Sequence, residues 1–164
     1  MRELGFTWDW PIELRYRRLK GHPVVMDTLK EWLAANPAPA ELFTQSLAVV
    51  AKRLIVGEPF PFPVKEFLDE VGFMDDRQLQ KAIAEPPQLT GDGRHDAYLG
   101  ALAEHLAAMN CLQRPLWSVE SARFLNTFWF VSELKGFRPL SLIESPAAFR
   151  RRGIFVAAGS LSRC

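Results

Sequence analysis

The amino-acid sequence predicts a single, mainly α-helical domain of roughly seven to nine helices, some of them short. Three observations predict it. Apolar residues recur at spacings of three and four through successive segments, the pattern of a helix with one buried face. Twelve prolines among 164 residues punctuate those segments too often for a long bundle. Only Ile154-Phe155-Val156 reads as extended, and it is too short to found a sheet.

Residues 1–9 carry Phe6 and Trp8 without a period and read as an irregular lead-in. Asp9 can then cap a helix with Pro11 in its first turn and Gly21 at its stop. Its apolar residues form no clean stripe, and Arg15, Arg17, Arg18 and Lys20 make it basic. Pro23 opens a second helix through Ala35, with Val25, Leu29, Trp32 and Leu33 on one face. A third helix runs over 40–56, marked by Leu42, Phe43, Leu47, Val50 and Leu54 and stopped by Gly57. The alternating prolines of Glu58-Pro59-Phe60-Pro61-Phe62-Pro63 argue against helix and central strand. They predict an extended segment whose two Phe rings plug grooves between helices. A short helix over 64–71 ends at Gly72. Asp75 or Asp76 caps the next, over 77–84, which Pro86-Pro87 ends. Thr90-Gly91-Asp92-Gly93 is a flexible turn. It is the one candidate boundary within the domain, between an N-terminal half over 1–90 and a C-terminal half over 94–164.

The clearest helix follows, over 94–110, with Tyr98, Leu99, Leu102, Leu106 and Met109 as its buried stripe. Ser118 with Ser121 predicts a short helix to Leu125, and Pro139 starts another over 140–144. Ser145 reads as the cap of a helix with Pro146 at its first position and Gly153 at its stop. Gly159-Ser160 starts a final helical turn.

Composition narrows the function classes. Apolar residues at 48% and charged residues at 24% describe an ordinary globular chain. A net charge of +1 counts against nucleic-acid binding in its simplest form, because phosphate contacts normally show as a basic excess. The two cysteines, Cys111 and Cys164, make neither a disulfide framework nor a metal-binding spacing. They read as reduced thiols in the cytoplasm, with Cys111 as core filler. Met1 to Gly5 carries no apolar run of a signal peptide, and no run approaches the ~18 residues of a membrane span.

Candidate chemistry is sparse. His95 and His105 are ten positions apart, about 80° off a shared helix face. Glu104-His105 lacks the second histidine of a zincin motif. Asp75-Asp76 sits where a cap belongs, and Asp69-Glu70 reads as facing outward. Gly91-Asp92-Gly93 is no phosphate loop, and Gly159-Ser160 is no nucleophile elbow. The reading therefore assigns no catalytic residue, no cofactor and no metal. The strongest local feature is Arg150-Arg151-Arg152. One reading places it at a helix end, complementing the dipole and pairing with neighbours. The other makes it a patch for a partner's carboxylates or phosphates.

The last ~75 residues carry a resemblance. Its elements are the helix around Tyr98 to Ala107, then Pro115-Leu116-Trp117, Arg123-Phe124-Leu125 and Phe128-Trp129-Phe130. Its last element runs from Ser145 to Val156. This pattern resembles a region of small bacterial proteins encoded beside nucleotidyltransferase-like toxins, where it belongs to the antitoxin. The resemblance implies a cytoplasmic, non-enzymatic protein that neutralises a toxin enzyme by contact. Trp129, Phe149, Arg150, Arg151 and Arg152 are then the expected partner-binding residues, an aromatic anchor with Arg contacts to an acidic surface. The alternative is a nucleic-acid-binding autorepressor that uses Arg15, Arg17, Arg18 and the Arg triplet.

Overall fold

The computed structural model describes Glu31, Ala35 and residues 45–161. The expected helix over 11–20 and the first residues of the one over 40–56 lie outside them. Glu31 and Ala35 are both helical. The chain divides after Leu42, and residues 45–161 all belong to the unit Phe43–Cys164. Among residues 45–161 the fold is mainly helical, with six α-helices, four 3₁₀ turns and two short strands.

Helix α1 (Leu47–Ile55) starts where the Ser46 hydroxyl accepts the Val49 N–H, an N-cap. Its start is thus seven residues later than the apolar spacing indicates. Helix α2 (Pro61–Val71) corrects the expectation of an extended proline segment. Pro61 and Pro63 fall in its first turn, where a missing N–H leaves no hydrogen bond unmade. Phe60 packs on the core, whereas Phe62 stays exposed. Arg53 ties the two helices together. Its Nε and Nη2 donate to both Glu58 oxygens at 2.7 and 2.6 Å, and its Nη1 donates to Glu66 at 2.6 Å. At Glu70, expected to face outward, one carboxyl oxygen is instead buried without a hydrogen-bond partner. Burial raises its pKa above the usual carboxylate range. Helix α3 (Asp76–Ala84) opens on a full capping box, Asp75 with Gln78.

Helix α4 (Gly93–Met109) is the element on which the others lean. Every residue from Asp96 to Ala103 is buried, so the helix is covered all round. The turn before it is closed rather than free, since Thr90 donates its N–H and hydroxyl to Asp96. Met109, expected in the buried stripe, is exposed. Cys111 is also exposed rather than core filler. It follows the C-cap with a φ of 53°, and the Leu112 N–H returns to the Ala107 carbonyl. This is the Schellman arrangement, in which that position is usually glycine.

Two 3₁₀ turns, Leu116–Val119 and Ser121–Arg123, replace the short helix expected before Leu125. They lie close against α4 because Gly100 has no side chain. A Cβ there would meet the Arg123 Cβ at 3.0 Å and the Ser118 carbonyl at 3.3 Å. Buried Arg123 donates to the Pro87 carbonyl and lies 3.6 Å from Asp96. Trp117 donates its indole N–H to the Ile83 carbonyl at 3.0 Å. Together they fasten residues 116–123 to the end of α3.

Strand β1 (Trp129–Phe130) pairs in parallel with β2 (Ile154–Phe155), in the register Trp129 with Ile154 and Phe130 with Phe155. The extended triplet thus does found a sheet, of two residues per strand. Between the strands come helix α5 (Arg138–Glu144) and helix α6 (Ala147–Arg150). Ser145 does not cap α6. Its hydroxyl accepts the Val156 N–H at 2.7 Å and donates to the Val156 carbonyl at 2.9 Å, fixing the exit of β2 beside the end of α5. Gly153, with a φ of +74°, makes the turn into β2. Its carbonyl accepts the Trp129 N–H. None of the described helices is long and apolar enough to cross a membrane.

Candidate functional site

The two-strand sheet has two faces because successive side chains alternate. On the inner face, Trp129 and Ile154 meet the core. The Trp129 ring lies 5.8 Å from Phe60 and 6.3 Å from Tyr98, and Tyr98 lies 5.1 Å from Phe149, all in edge-on geometry. The rings therefore run in a connected series from the buried interior to the surface. Phe60 ends it, stacked on His95 at 4.6 Å with the planes 6° apart.

On the outer face, Phe155 lies between Phe128 and Phe130, at 5.6 and 5.0 Å. The Arg138 guanidinium sits over Phe130 at 5.0 Å, a cation–π contact. Phe128 is 79% exposed. The segment that brings Arg138 carries further apolar side chains into solvent. Leu134, Phe137, Leu140, Leu142 and Ile143 are all exposed, Ile143 at 78%. On α5 only Ser141 is buried. Phe128 and these exposed apolar side chains all lie within one stretch of sequence, 128–143.

Beside β1 lies a cleft of about 530 Å³. Residues Phe128 to Glu133 form one wall, and Arg138 stands at its end. Phe60 and Pro61 from the start of α2, with Asp92, Arg94 and His95 from the start of α4, form the other. Arg94 and Arg138 make no ion pair among the described residues.

The five side chains expected to bind a partner are not brought to one place. Trp129 lines the cleft. Phe149 is fully buried, with Tyr98 on one side and His105 at 6.0 Å on the other. Burial holds the half-buried His105 below the usual imidazole range. Arg152 is buried as well, donating to Glu104 at 2.7 Å and to the Ala148 and Ser118 carbonyls. Arg151 pairs with the same Glu104 at 2.6 Å, and both guanidiniums lie over the Phe124 ring. Of the triplet, Arg150 alone is exposed without an ion pair among the described residues. Phe149 and Arg152 thus face the interior of their own chain, and the helix-end reading with ion pairs describes Arg151 and Arg152 better than a free patch does.

Sequence reasoning passed over Arg94 and Arg138, and it named Phe128 only as part of the Phe128-Trp129-Phe130 segment. Arg138 carried one signal, its place just before Pro139, which marks a helix start. Arg94 carried none; only the structure shows Asp92 capping α4 by accepting the Arg94 N–H. Compared with protein-family models, with curated proteins and with solved structures, the chain matches none.

Proposed function

We propose that this chain is a non-enzymatic binding protein that neutralises a nucleotidyltransferase-like toxin by direct contact, in the cytoplasm. The observation that carries the reading is the set of exposed apolar side chains over 128–143, Phe128, Leu134, Phe137, Leu140 and Ile143, with the half-buried Phe130 and Phe155 rings beside Phe128. Apolar side chains held in water cost free energy that a partner's surface removes, and aromatic groups are the usual anchors of such contacts. Arg138, held over Phe130, supplies the guanidinium at the edge that would meet an acidic surface. The anchor and the cation therefore differ from the set first expected, Trp129 and Phe149 with Arg150, Arg151 and Arg152, while the type of contact is the same. The resemblance of the last ~75 residues supplies the toxin as the partner.

The test is co-expression of the full chain with the product of the neighbouring gene. A complex that survives purification, together with restored growth, supports the reading. No complex and no relief of toxicity would remove it. The autorepressor alternative would draw on Arg150 alone of the triplet, and a salt-insensitive or absent shift of the chain's own promoter DNA would exclude it.

A further inference from the structure

The cleft beside β1 is a second feature of the same region, and its geometry is that of a strand edge. Phe128 to Glu133 line it as consecutive residues. The strand part of this run is Trp129–Phe130, and neighbouring residues of opposite faces both reach a cleft that lies along a strand's edge. The other edge of β1 is occupied: Trp129 N–H donates to the Gly153 carbonyl at 2.8 Å and Val131 N–H to the Phe155 carbonyl at 3.0 Å. Between them, Phe130 N–H points away from β2 and has no acceptor among the described residues. An unpaired edge is a template for an added strand.

The charges facing the cleft select what would be added. Asp92 is engaged: its Oδ1 accepts the Arg94 N–H at 2.8 Å, and its Oδ2 lies 3.9 Å from His95 Nε2. The guanidiniums of Arg94 and Arg138 make no ion pair among the described residues, and Glu133 is the lining carboxylate that is not tied to the start of α4. The Phe60–His95 stack and Trp129 offer flat apolar walls. The free Phe130 N–H matches the carbonyl of a peptide backbone. We infer that the cleft takes an extended acidic segment of the partner protein, whose backbone pairs with the free edge of β1. The segment sets an apolar side chain against Trp129 and its carboxylates at Arg94 and Arg138.

The inference rests on the contact reading above, and its test is kept separate from the toxin. The immobilised full chain is used to select from a display library of random twelve-residue peptides. The enriched peptides are then made synthetically, each with a lysine-for-acid analogue. Enriched sequences are expected to carry an apolar residue beside Asp or Glu. Binding is expected to weaken at least about tenfold in the Arg94→Glu/Arg138→Glu variant and with the lysine analogue, a difference of ~1.4 kcal/mol. It should be unchanged in the surface control Arg77→Glu. Hydrogen exchange at the Phe130 amide should slow when peptide is bound. Equal binding of the lysine analogue, undiminished binding by the double variant, an unchanged Phe130 amide, or no enrichment would each overturn the inference. Peptide binding without relief of toxicity would support the cleft and count against the toxin reading. Relief of toxicity that the double variant retains in full would do the reverse.

Discussion

Arg152 and Glu104 are separated by 48 positions and meet at 2.7 Å, with the guanidinium fully covered. The pair joins the end of α6 to the middle of α4, and the same Arg152 holds the Ser118 carbonyl of the 3₁₀ segment. Burial pulls the Arg152 pKa below its usual value, and the Glu104 bond opposes this only in part. Removing Arg152 leaves Glu104 with Arg151 alone and takes the donor from the buried Ala148 and Ser118 carbonyls.

Arg152→Ala should therefore cost about 3–5 kcal/mol of unfolding free energy. Arg151→Ala, partly exposed on the same carboxylate, should cost about 1 kcal/mol or less. Arg150→Ala should change stability by no more than ~0.5 kcal/mol. Urea unfolding of the three variants reads the gradient directly. Equal losses at all three positions would contradict the division of the triplet into a buried, a bridging and a free arginine.

Gly100→Ala places a methyl group at 3.0 Å from the Arg123 Cβ and 3.3 Å from the Ser118 carbonyl. In a helix interior alanine is normally the more stable residue. Here the crowding should reverse that preference, with a loss of ~1–3 kcal/mol. A rise in melting temperature would show that residues 118–123 do not lie as close to α4 as described.

Cys111→Gly should act in the opposite direction. The left-handed backbone at Cys111 strains any side chain, and glycine relieves it, for a gain of ~0.5–1 kcal/mol in urea unfolding. The exposed thiol should also react with a thiol reagent in the native state at the rate of a free cysteine. A slow, unfolding-limited reaction of Cys111 would contradict its placement.

His105 gives a pH dependence with a defined sign. Its folded-state pKa lies below the ordinary 6.5 because burial disfavours the imidazolium. The unfolded chain therefore takes up the proton first. The contribution of His105 is fully present above about pH 6.5 and is lost as the pH falls from there toward the folded-state value. Wild type should lose more stability than His105→Gln between about pH 7.5 and about pH 5.5. Parallel curves for the two proteins would contradict the burial of this ring.

Much of the helical framework was legible in the sequence because its signals are local. The α4 stripe, the Asp75 cap and the stops at Gly57 and Gly72 each lie within a few residues of the structure that they specify. The errors share a different cause. Pro61 and Pro63 fit an extended chain and a first helical turn equally well, since both need the same φ. Ser145 has the side chain of a cap, but its partner is Val156, eleven positions on. Strand β1 could not be read because β2 lies 25 positions away and neither strand can form alone. The site suffered most: Phe60, Arg94, Trp129 and Arg138 come from four separate segments. A run of three arginines is conspicuous in sequence whether it faces solvent or the core, and burial alone tells the two apart.

The most direct measurement is co-purification of the full chain with the neighbouring gene product, comparing wild type with Phe128→Ser/Ile143→Ser. Both substitutions lie on exposed positions and should leave the melting temperature within a few degrees of wild type. The account predicts a complex for wild type, and its loss together with the loss of protection from toxicity in the variant. A variant that folds normally and holds the toxin as tightly as wild type would contradict it.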